Sequence, residues 1–142
     1  MIDLLLAAAL AQAGAASTPL RCAAPDGPAE CPHWRLVVRT GIGAGYLDPA
    51  SIRREGALVE LTTLLVGREP IEDGANRIVE RVRFDCARRT AQSLHRTMFS
   101  PDGELIRDGS DPEAVPVAVV ANSPFDLLLR DHCPGSRRGD DA

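Results

Sequence analysis

Residues 75–99 read ANRIVERVRFDCARRTAQSLHRTMF, the longest run in the chain with a two-residue apolar rhythm. Ile78, Val82, Phe84 and Cys86 fall on one side of that alternation, and Val79, Arg81, Arg83 and Asp85 on the other, as in a half-buried strand. Ala87–Thr90 supplies a bend. The stretch therefore predicts a central hairpin whose first strand ends with Cys86 pointing into the core. In an exported chain a core-facing cysteine needs a partner, and the obvious one is Cys133, at the close of the last apolar segment. Four cysteines allow three connectivities. The favoured pairing is Cys86 with Cys133 and Cys22 with Cys31. The chain-entropy model gives about 4 kcal/mol for the long loop and about 2.5 to 3 kcal/mol for the short one.

Toward the C-terminus, Pro101-Asp102-Gly103 is a turn, Leu105-Ile106 starts a short strand, and 107–113 is a polar loop. Asn122-Ser123-Pro124 places a capping side chain before a proline, which predicts a helix from Pro124 to His132. Phe125, Leu128, Leu129 and Cys133 share one stripe of that helix and face the sheet. Pro134 and Gly135 stop it, and 134–142 reads as a polar, disordered tail.

Toward the N-terminus, Ala57–Val66 (ALVELTTLLV) is apolar with little alternation, a central strand covered on both faces for part of its length. Asp48-Pro49 predicts a single helical turn with Ile52 packed inward. The glycines of 41–45 lack the lysine and hydroxyl of a phosphate loop and read as positive-φ residues of a hairpin connection. His33–Arg39 is a first strand, with Trp34, Leu36 and Val38 on one face. Residues 17–31 form an irregular lead-in held by the short disulfide. Residues 1–16 read as a secretory signal peptide, apolar over Leu4–Ala11 and small around Ala13–Ala16, although Asp3 stands where a base is usual. The expected fold is α+β: a single antiparallel β-sheet of about five to six strands, packed by a C-terminal helix, disulfide-linked, within a domain spanning 32–133.

The ordered set Trp34, Tyr46-x-Asp48-Pro49-x-Ser51-Ile52-Arg53-Arg54, the long apolar strand, Phe84-Asp85-Cys86 and a closing helix ending in Cys133 resembles the bacterial surface-adhesin protein E family. The resemblance covers roughly 34–133. It implies a small exported domain with an antiparallel sheet, a C-terminal helix and a disulfide joining them, and a role in binding host matrix and plasma proteins. Cys22, Cys31, the charged tail and the lack of aromatics in 57–66 depart from it, so no contact residue carries over.

Composition narrows the functional classes. A formal charge of −4 argues against a nucleic-acid partner. All bases are arginine. His33, His95 and His132 stand outside any catalytic motif, and neither a nucleophile elbow nor a zincin or calcium-loop motif occurs. The expectation is a non-enzymatic protein with no catalytic residues and no cofactor. A zinc site from Cys22, Cys31, His33, His132 and Cys133 is the metal alternative, and its cysteine spacing does not suit zinc. Arg77, Arg81, Arg83, Arg88, Arg89 and Arg96 line the hairpin and suggest a surface for an acidic protein or envelope component. The competing reading is a solvated face on which Glu60, Glu80 and Asp85 pair with these arginines. The expected location is the periplasm or the cell surface, as a binding module or as an accessory to another envelope component.

Overall fold

A computed structural model describes residues 22–111 and 113–134. The proposed signal peptide, the lead-in before Cys22 and the tail beyond Pro134 lie outside those residues. Among the described residues eight strands form one antiparallel sheet: β1 Glu30–Cys31, β2 Trp34–Thr40, β3 Gly43–Glu55, β4 Leu58–Gly67, β5 Arg77–Asp85, β6 Thr90–Phe99, β7 Leu105–Gly109 and β8 Val117–Ala118. The first seven lie side by side in chain order, and β8 returns to pair with β6. Helix α1 (Pro124–His132) follows.

Five to six strands were expected, and the strands not foreseen are β1, β3 and β8. The glycines of β3 and its Asp48-Pro49 pair read as turns, yet the segment pairs with β2 on one side and β4 on the other. The Asp48–Ile52 stretch is a bulge, not a helical turn, with a register shift between Asp48 and Arg53. Side chains replace the missing ladder there: Ala50 N–H donates to Asp48 Oδ1 at 3.0 Å, and Thr62 N–H donates to Ser51 Oγ at 2.8 Å. Ile52 still packs against the core. β1 and β8, two residues each, are too short to carry a period.

Gly43 is needed for closeness, not for positive φ. A Cβ there would stand 2.1 Å from the Val66 carbonyl oxygen, so β3 and β4 could not approach as they do. A bulge at Val37 shifts the β2–β3 register between Leu36 and Val38. Leu36 consequently packs with Trp34, while Val38 turns to the opposite face beside Gly45, against the expectation that all three share one.

The sheet carries a separate core on each face. On one, Leu47, Val59, Leu61, Val82, Phe84 and Ala91 pack against Leu128, Leu129 and Cys133 of α1 and its end. On the other, Trp34, Ala44, Tyr46, Leu64 and Val66 pack beneath Ala23. β4 serves both faces, as its unbroken apolar run predicted. Cys86 and Cys133 are bonded, with Cα atoms 5.5 Å apart, and Phe125 meets Phe84 edge-on at 5.6 Å between ring centres.

Ser123 caps α1, accepting from Asp126 N–H at 3.2 Å and donating to Val120 O at 2.6 Å. Replacing it with alanine is expected to cost about 1 kcal/mol in urea unfolding. The buried Asp126 carboxylate accepts from Asn122 N–H at 2.8 Å and from Arg89 at 2.8 Å, with Arg130 at 3.1 Å. First the Asn122 N–H and then these guanidinium groups hold its carboxyl below the usual range.

At the other end of α1, burial holds the His132 imidazole below its ordinary value, and the Arg54 guanidinium acts in the same sense. Helix-dipole stabilisation of a cation at this C-terminal end is outweighed. The unfolded chain therefore binds more protons around and below pH ~6.5, and His132 contributes stability that is lost as pH falls through that region. The urea midpoint should drop between pH 7.5 and 5.5 in the native chain, and His132→Gln should flatten that slope. The Asp126 contribution is lost only below the carboxylate range, about pH 4, so the two windows separate.

Candidate binding surface

The helix-side face of the sheet is only partly covered. Beyond the residues under α1, register places Thr63 opposite Glu80, Leu65 opposite Ile78 and Glu80 opposite Arg96. With residues 117–120 as a wall and Phe125 and Leu128 at one end, they enclose a groove of about 480 Å³. Its lining is mainly apolar, and Leu65 is 39% exposed within it.

The charged exception is Arg96, whose Nε lies 2.8 Å from Glu80 Oε2 without hydrogen-bond alignment, while Nη2 reaches Glu72 at 2.9 Å. Burial raises the Glu80 carboxyl, against the opposing pull of Arg96. Glu80 falls on the core face of β5 by strict alternation. It was legible there as an acid in an apolar row, and reading it only as a surface partner missed its place in the groove.

The arginines of the hairpin do not form one surface. Arg96 faces the groove, and Arg89, at φ +52° in the turn, binds the buried Asp126. Arg83 pairs with Glu60 at 2.7 Å on the outer face, and Arg88 lies 3.9 Å from Asp85. Arg77 reaches the Ala23 carbonyl at 3.5 Å. Arg81 is exposed, beside Thr62 and His95 in the register. The pairing of Glu60, Glu80 and Asp85 with arginines is thus the arrangement present.

His95 bridges Asp108 Oδ1 at 2.6 Å and Ser110 Oγ at 3.1 Å, and Thr97 donates to the same Asp108 oxygen at 2.9 Å. The His95 contact lowers the Asp108 carboxyl. This cluster was not foreseen, because Asp108 and Ser110 were read as loop residues, whereas β7 extends to Gly109 and brings them beside β6. It is solvent-exposed.

Cys133 is committed to its disulfide, which removes it from the alternative zinc set. Cys22 and Cys31 are free thiols in the structure, so the bond expected between them is not formed here. No group of three or more metal-binding side chains occurs among the described residues, and no helix among them is long and apolar enough to cross a membrane.

Residues 34–134 match the profile of surface-adhesin protein E. The chain belongs to the surface-adhesin protein E family. Solved structures agree on the fold. Haemophilus influenzae protein E in its selenomethionine form has a TM-score of 0.53 at 11% identity, covering 76% of this chain and 92% of that one. Crystal form II of the same protein gives 0.51 at 12%, covering 73% and 90%. A third structure gives 0.52 at 10%, covering 78% and 92%. No curated protein matches the chain significantly. In this member of the adhesin E family the groove lies beside α1, walled by residues 117–120.

Proposed function

We propose that the chain is an exported, non-enzymatic adhesion module of the bacterial envelope, and that it engages a protein partner through the groove beside α1. Membership of the adhesin E family supports the adhesive role. The groove carries the site: apolar walls with a single internally paired charged knot at the base suit the burial of a few apolar side chains.

The test is adhesion of cells expressing the full chain, and of a deletion strain, to immobilised extracellular-matrix and plasma proteins, with protease shaving of intact cells in parallel. Adhesion that depends on the chain, together with its removal by protease, supports the proposal. Protection from protease with no adhesive difference would favour an accessory role inside the periplasm.

An acidic partner on the outer face is a narrower proposal and rests on Arg81 and Arg88, since Arg83, Arg89 and Arg96 have closer carboxylate partners. Arg81→Ala with Arg88→Ala should then shorten salt-sensitive retention on heparin. Unchanged retention would remove this surface from consideration.

A further inference from the structure

Residues 22–31, expected to be irregular and held only by a disulfide, form a defined cap over the core on the face away from α1. Ala23, within the cap, is fully buried against that core. Tyr46 Oη reaches the Ala24 and Pro28 carbonyls at 2.9 and 3.3 Å. Asp26 is gripped by both terminal nitrogens of Arg68 at 2.7 and 2.6 Å, and Arg39 donates to the Gly27 carbonyl. Leu36 N–H donates to Ala29 O at 2.7 Å, and β1 then joins the sheet with Cys31 opposite Trp34. The cap is therefore anchored along its middle and at its Cys31 end.

The two cysteines stand at the two ends of this cap as neighbours, and both are partly exposed. Their environment differs from that of Cys133, which is buried in the opposite core. We propose that Cys22 and Cys31 are a redox-active pair, closing to a disulfide that latches the cap over Trp34 and Tyr46 and opening before the Cys86–Cys133 bond under mild reduction.

Closure requires a disulfide oxidant such as oxidised glutathione. The Cys22 thiolate attacks one oxidant sulfur, forming a mixed disulfide and releasing one small thiol. Cys31 gives up its proton and attacks the Cys22 sulfur, releasing the second. One S–S bond breaks and one forms, and the two electrons and two protons lost by the protein leave on the two small thiols. Burial, with the neighbouring Cys22, pushes the Cys31 thiol up to about 12, so the second step waits on Cys31 losing its proton to a base in solvent.

Trp34 is the chain's single tryptophan and lies 7% exposed under the cap, so its fluorescence reports on the latch. The purified full chain is incubated with oxidised glutathione, then with graded dithiothreitol, and alkylated under native conditions before peptide mapping. The expected result is a Cys22–Cys31 linked peptide after oxidation. Low reductant should then leave Cys22 and Cys31 alkylated and Cys86 and Cys133 protected, with iodide quenching of Trp34 increased. Closing a ten-residue loop should also raise the folding equilibrium constant by roughly 100-fold in the oxidised form. Cysteines 22 and 31 that stay alkylatable in excess oxidised glutathione would overturn the pair. Reduction of both disulfides at the same dithiothreitol concentration, or quenching that does not change, would overturn the latch.

Discussion

Replacing Cys86 and Cys133 together with alanine is expected to lower the unfolding free energy by about 4 kcal/mol, the chain-entropy value for a loop spanning 47 residues. This is the largest single effect we anticipate for stability. The bond joins the end of β5 to the end of α1, and the helix side of the core, including Leu128, Leu129 and Phe84, depends on their staying together. A nine-residue helix is too short to persist without tertiary packing, so losing the tether should loosen α1 first. Urea unfolding of the full chain at pH 7.5, with Cys22 and Cys31 kept reduced in both proteins, isolates the effect. A loss below about 1 kcal/mol would mean that packing alone holds α1, and that the unfolded chain gains little freedom from the missing tether.

Leu65→Glu is expected to weaken adhesion by at least about tenfold. The substitution puts a charge among apolar walls that a partner must desolvate, a cost comparable to losing an interface hot spot. Leu65 is 39% exposed in the groove, so the free protein can hydrate the new carboxylate and should keep its urea midpoint nearly unchanged. Ile42→Glu is the control, because Ile42 is 78% exposed at the β2–β3 turn, outside the groove lining. Equal adhesion by the Leu65 and Ile42 variants and the native chain would move the binding site elsewhere without touching the family assignment.

The elements with strong local signals were readable before the structure. The 75–99 hairpin, β4 and α1 each carry a sustained period or a cap, and α1 spans the residues its Ser123-Pro124 start and Pro134 stop predicted. β3 was not readable, because its glycines and its Asp-Pro pair are turn residues, and only the flanking strands hold them extended. The groove escaped notice for a related reason. Its lining comes from β2 to β6 and from 117–128, segments far apart in sequence that only the sheet register brings together. The arginines were miscounted as one surface because strand alternation separates Arg81 from Arg96 across a bulge, where His95 and Ser93 face successive β5 residues. One unpaired residue was enough to move Arg96 to the opposite side.

In the proposed adhesive role at a cell surface the protein would carry tension, and the Cys86–Cys133 bond would decide which parts of it feel the load. A pull applied between the two chain ends passes along β4 and β5 to Cys86 and crosses directly to Cys133. β6, β7, β8 and α1 lie inside the covalent loop and stay out of the line of force. Their 47-residue span, about 160 Å if drawn out, cannot be released while the bond is intact. The 117–120 wall of the groove and the helix at its end both lie within that shielded segment. Under load the strands before Cys86 would give way first, and half of the groove's lining would keep its covalent frame.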